Sequence, residues 1–120
     1  MKRKSVIVVD DEDGIRMLLT EVFQQANYVV ESFSNGEHAL QSASLAKADL
    51  FVVDFLLDDM RGDQFVQSLQ NLVGKIPFII VTGLSAHEVR TKSKVQIDHI
   101  LEKPFSLDKL VDLAHELTTN

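Results

Sequence analysis

Four places along the chain bring together side chains that could share one reaction: Asp10 and Asp11, with Glu12 and Asp13 close behind; Asp54; Thr82; and Lys103, ahead of Pro104. Each follows or ends an apolar run. Carboxylates gathered at one edge repel one another and raise each other's pKa, so something cationic should compensate. A hard divalent ion such as Mg²⁺ takes oxygen ligands and keeps several waters, so two carboxylates and a phosphoryl oxygen make a suitable partial shell. Lys103 can supply a further positive charge near the same anions. An acidic pair after a strand is by itself an ordinary loop with a helix cap. That reading explains neither the carboxylate at the next inner strand's end nor the hydroxyl and lysine at the following two.

The elements that position these residues follow from two alternating periods. Residues 6–9, 50–53 and 76–81 are short apolar runs rich in β-branched side chains, as strands covered by helices on both faces require. Residues 28–33 and 97–101 are weaker strands with polar interruptions. Ile15, Leu18, Leu19, Val22, Phe23 and Ala26 recur three and four apart, which predicts an amphipathic helix. Ser34 with Glu37 and Ser85 with Glu88 have capping-box spacing and would open helices two and four. Asp63 would cap a third helix through Phe65, Val66 and Leu69. Ser106 precedes a fifth, striped by Leu107, Leu110, Val111, Ala114 and Leu117. Five β-then-α units with short loops predict a doubly wound α/β domain, with a five-stranded parallel sheet flanked by five helices. In such a sheet the functional loops lie beyond the carboxyl ends of the strands, where the polar residues above fall.

Composition narrows the classes. A chain of 120 residues holds one domain, taken here as residues 1–120. With 45% hydrophobic and 25% charged residues it should fold rather than remain disordered. The net charge of −6, from 18 acidic and 12 basic side chains, gives no attraction to nucleic acid or anionic lipid. The basic runs at 2–4 and at Arg90, Lys92 and Lys94 are expected to be solvated surface. There is no cysteine, and no apolar stretch is long enough for a signal peptide or a membrane span, so a cytoplasmic location is expected.

The motifs Val8-Val9-Asp10-Asp11, Val53-Asp54, Met60 with Gly62, Val81-Thr82-Gly83 and Lys103-Pro104-Phe105, in this order and spacing, resemble the receiver domains of bacterial two-component response regulators over essentially the whole chain. The resemblance implies a flavodoxin-like sheet of order 2-1-3-4-5 and a Mg²⁺-dependent phosphoacceptor, a signalling switch rather than an enzyme acting on other molecules. Asp54 would attack the phosphohistidine of a histidine kinase or histidine phosphotransfer protein. Asp11 would bind the ion directly, Asp10 mainly through water, and the backbone carbonyl of Leu56 would be a third contact. Thr82 would move to bond the phosphoryl group and Lys103 would pair with it. The resemblance also implies a cis Lys103-Pro104 bond. Transfer through a loose transition state needs positioning and charge neutralisation, which a metal and a lysine supply. The acyl phosphate then adds charge of roughly −2, enough to reorganise a hydroxyl and a loop read by a downstream effector.

Several positions depart from that pattern. Ile100 stands where such domains usually carry Tyr or Phe, so coupling between site and surface is expected to differ. Asp58 replaces a common proline, and with Asp59 is expected to be a solvated loop. Leu56 and Leu84 offer no group to orient a hydrolytic water, so a long-lived phosphoryl group is expected. The apolar Leu56 also argues against an aspartate-nucleophile phosphatase, which needs a second acid there. His38, His87, His99 and His115 make no metal spacing, and no Gly-rich phosphate loop follows the first strand. The remaining alternative is a phosphorylation-independent, receiver-like interaction module, against which the retained Asp10, Asp11, Asp54, Thr82 and Lys103 argue. A phosphorylation-dependent homodimer would use the face of helices four and five, near Arg90, Lys92, Asp108 and Asp112.

Overall fold

The computed structural model describes residues 3–119; Met1, Lys2 and Asn120, and with them the start of the basic run at 2–4, lie outside the described residues. The elements run β1 (Ser5–Val9), α1 (Asp13–Gln25), β2 (Val29–Phe33), α2 (Gly36–Leu40), β3 (Leu50–Asp54), α3 (Gly62–Val73), β4 (Phe78–Thr82), α4 (Ala86–Lys92), β5 (Ile100–Glu102) and α5 (Leu107–Thr118). A single 3-10 turn, Leu45–Lys47, lies between α2 and β3. All strand pairs are parallel and the order is β2-β1-β3-β4-β5, so the doubly wound, five-stranded sheet is borne out.

The apolar runs alternate between two buried layers. Ile7, Val9, Phe51, Val53 and Ile80 pack with Phe65, Val66 and Leu69 of α3 and Val89 of α4. Val6, Val8, Leu50, Val52, Ile79 and Val81 pack with Leu19 and Phe23 of α1 and with Leu110 and Ala114 of α5. Burying each large side chain is worth about 1.5–3 kcal/mol, so two covered faces are what hold the strand ends in register. The two edge strands are less covered: Val29, Glu31 and Ser32 of β2 are exposed, and no residue of β5 is fully buried.

Element starts differ from expectation at α2, α3, β4 and β5. Helix α2 is capped by Asn35, whose side-chain oxygen accepts from the His38 N–H at 2.9 Å, not by Ser34 with Glu37. The start lies one residue later because the Glu37 N–H is taken by Asp59 at 2.9 Å. Helix α3 begins at Gly62, so Asp63 lies inside its first turn and is fully buried rather than capping it; the Arg61 N–H is met by the Gln64 side chain at 3.0 Å. β4 and β5 start at Phe78 and Ile100, later than the apolar runs suggest. Ser85 and Ser106 cap α4 and α5 as expected, accepting from the Glu88 and Lys109 N–H groups at 3.1 and 3.3 Å.

One glycine is required for steric reasons. The N–H of Gly62 donates to the Phe55 carbonyl at 2.6 Å, closing the loop after β3, and a Cβ there would lie 2.7 Å from the Asp54 carbonyl oxygen. The Leu56 and Arg61 backbones form an antiparallel bridge across the same loop.

Candidate functional site

The parallel register brings the ends of β1, β3 and β4 to one edge, and the loop after β5 returns to it through the Lys103 N–H, which donates to the Thr82 carbonyl at 2.7 Å. The Lys103-Pro104 bond is cis. The ammonium of Lys103 reaches Glu12 Oε1 at 2.6 Å, Asp54 Oδ2 at 3.1 Å and Asp10 Oδ2 at 3.6 Å. Burial alone would lower the lysine's pKa, but its bonds to Glu12 and Asp54 and the charges of Asp10 and Asp54 outweigh it and hold the ammonium protonated well above its ordinary range.

Asp10 is fully buried at the end of β1. Its Oδ1 accepts from the Glu12 N–H at 2.9 Å, whereas Oδ2 has no hydrogen-bond partner. Burial chiefly, reinforced by the charges of Asp54 and Glu12 and opposed by the Glu12 N–H and Lys103, pushes the carboxyl up to about 6. Asp54 is nearly buried; its Oδ1 accepts from the Leu56 N–H at 3.1 Å while Oδ2 faces Lys103. Asp11 is half-buried, and burial first, then Asp58, then Asp54, raise its pKa. Thr82 is fully buried, and its hydroxyl oxygen accepts from the Leu84 N–H at 3.0 Å. Ile100 is partly buried and packs onto the layer that contains Val89 and Ile97.

Oxygens of Asp10, Glu12 and Asp54 lie within 4.8 Å of one another. An orphaned buried carboxylate oxygen beside two further hard oxygens fits a divalent cation, which is also the simplest relief for Asp10. Glu12 is the member of this group to which the sequence reading gave no role. Its contact with Lys103 joins residues 91 apart, and no local pattern reveals such a pair. Two other polar features were equally hidden. Arg16 donates to the Asp10 carbonyl at 2.7 Å. Asp59, expected to be merely solvated, accepts from the Gly36 and Glu37 N–H groups at 3.1 and 2.9 Å and so caps α2 from a distant loop.

A five-stranded, doubly wound sheet thus carries buried carboxylates and a lysine together at its carboxyl edge, an acidic pocket of the kind typical of phosphoacceptor signalling domains. The chain belongs to the response regulator receiver domain family, whose model matches residues 6–115. It is similar to sporulation initiation phosphotransferase F of Bacillus subtilis, 30% identical over 114 residues, covering 93% of this chain and 91% of that protein. It is 29% identical to the transcriptional regulatory protein CusR of Escherichia coli over 88% of this chain but only 47% of CusR, so it spans about half of that regulator. Among solved structures it resembles the chemotaxis protein CheY4 of Vibrio cholerae, with a TM-score of 0.88, 27% identity and coverage of 97% and 99%. It also resembles the response regulator TrrA of Thermotoga maritima in complex with Mg(2+)-BeF, with a TM-score of 0.83, 29% identity and coverage of 95% and 98%. The chain is thus a receiver domain of the two-component type, a signalling switch. No helix among the described residues is long and apolar enough to cross a membrane.

Proposed function

We propose that this receiver domain takes a phosphoryl group onto Asp54 from the phosphohistidine of a histidine kinase or histidine phosphotransfer protein. The observation that carries the reading is the Lys103 ammonium, held 3.1 Å from an Asp54 carboxylate oxygen at the carboxyl edge of the sheet. In the transfer an Asp54 oxygen forms a bond to phosphorus as the phosphorus–nitrogen bond breaks, and the electron pair returns to the donor imidazole. Lys103 stays near the developing negative charge on the equatorial oxygens. The Leu56 N–H holds the second Asp54 oxygen and fixes the direction of attack. Asp10, Asp11, Asp54 and the Leu56 carbonyl would hold Mg²⁺, with Glu12 beside them. When bound, the ion neutralises carboxylate and phosphoryl charge.

The Thr82 hydroxyl uses its oxygen to accept from Leu84 and keeps its own proton for a phosphoryl oxygen. Ile100, an aliphatic, is the neighbour through which that movement would reach α4. The proposal treats residues 1–120 as one domain, acting in the cytoplasm on a downstream effector. It allows a phosphorylation-dependent homodimer through the exposed Arg90, Lys92, Asp108 and Asp112.

The test is intact mass after incubation with Mg²⁺ and acetyl phosphate. The wild type should gain one phosphoryl group only when metal is present, and Asp54→Ala should gain none. Absence of any gain, repeated with a phosphorylated kinase domain, would sink the reading in favour of a phosphate-independent module.

A further inference from the structure

The loop after β3 is tied to the far end of α4 by one ion pair, whose carboxylate is buried and whose guanidinium is partly exposed. Asp63, wholly buried, receives both arms of the Arg61 guanidinium at 3.0 Å, from Nε to one oxygen and from Nη2 to the other. The same Asp63 oxygen that meets Nη2 also accepts from the Lys94 N–H at 3.0 Å, and Arg61 Nη2 donates to the Lys92 carbonyl at 3.2 Å. Lys92 is the last residue of α4, and Lys94 lies in the connection to β5. At its other end Arg61 is bridged to Leu56, two residues from Asp54, and its guanidinium lies 5.8 Å from the Phe55 ring centre. A planar fork shared between a carboxylate and a carbonyl has one good geometry, so movement at either end must move or break the set.

We propose that the Arg61–Asp63 bracket couples the state of the Asp54 loop to the end of α4, as a route separate from Thr82 and Ile100. Asp54 and Leu56 belong to the loop that the Arg61 bridge closes, so a change at Asp54 is transmitted to Arg61 through covalent backbone and one ladder contact. From Arg61 it passes to the Lys92 carbonyl and, through Asp63, to the Lys94 N–H. Both receiving groups lie where α4 ends, and the carbonyl is one that a helix end leaves unpaired. The bracket thus holds the helix terminus in one arrangement only while the loop keeps its own. This rests on Asp54 being the phosphorylated residue, and the experiment separates failure of that premise from failure of the bracket.

The experiment follows backbone amide chemical shifts of the full chain as Mg²⁺ and beryllofluoride, a phosphoryl mimic, are added. Occupancy is read at Leu56 and Leu84, and transmission at Lys94 and Val95. The wild type should respond at both places. Arg61→Gln should keep the response at Leu56 and Leu84 while losing more than half of it at Lys94 and Val95. If that variant gives no folded spectrum, Arg61→Lys decides, since it keeps the charge but loses the fork. An undiminished response at Lys94 and Val95 in a folded Arg61 variant would overturn the proposal, and so would silence there in the wild type with the site occupied. No response at Leu56 and Leu84 in the wild type would remove the phosphoacceptor premise and the coupling with it.

Discussion

Asp10 and Asp63 are both removed from solvent, yet their surroundings act on their charges in opposite directions. At Asp63 burial alone would raise the pKa, but the Arg61 fork and the Lys94 N–H outweigh it and hold the carboxyl below its ordinary value. At Asp10 burial prevails, one oxygen has no hydrogen-bond partner and only the Lys103 ammonium 3.6 Å away, and the carboxyl rises to about 6. A buried charge with both oxygens hydrogen-bonded specifies structure. One left short of partners destabilises the fold and persists where a ligand can complete it. The bracket is therefore finished in the chain itself, whereas Asp10, with Lys103 no nearer than 3.6 Å, is left for a closer cation to complete.

The largest effect should come from breaking the finished pair. Arg61→Ala leaves the buried Asp63 with only the Lys94 N–H, and should lower stability to urea by ~2–4 kcal/mol, somewhat less than for a wholly buried pair because the guanidinium is one-third exposed. A loss below ~1 kcal/mol would mean that water reaches Asp63 and that the contrast with Asp10 is false. Asp10→Asn should act oppositely, raising the stability of the metal-free protein at pH 7 by ~1–3 kcal/mol, the cost of ionising a carboxyl that burial pushes up to about 6. The sign follows from proton binding. Between the ordinary value of 3.8 and about 6 the folded state holds more protons than the unfolded one, so the wild type loses stability as pH rises through that window. The variant should lack this slope in unfolding curves taken from pH 4 to pH 7. Asp63 contributes with the reverse sign: its stabilisation is present at neutral pH and lost as pH falls through its depressed pKa. The smallest effect is that of the ion. Mg²⁺ at ten times its Kd should add about 1.4 kcal/mol to the wild type, and much less to Asp10→Asn, as differential scanning calorimetry would show.

The two carboxylates also differ in how far the sequence revealed them. Asp10 was legible because it ends an apolar run that only a covered parallel strand explains, and the same reasoning found Asp54, Thr82 and Lys103. Asp63 was misread as a helix cap, since its type and position suit a cap, while its true partners are Arg61 beside it and Lys94, 31 residues away. Helix α2 failed for a related reason, because Asn35 and the distant Asp59 fix its start rather than Ser34 and Glu37. Strand runs and amphipathic stripes are periodic and local, so they can be read. Polar pairings across loops are neither, and Glu12 with Lys103 belongs with them.

The cap that Asp59 places on α2 has a consequence for amide exchange. Five residues are too few for a helix to persist alone in water, and its first two N–H groups are shielded by a side chain from the loop after β3. Exchange of the Gly36 and Glu37 protons should therefore be slowed for as long as Asp59 keeps both bonds. Asp59→Ala should speed exchange at both positions, tying the local stability of this short helix to a residue of another loop.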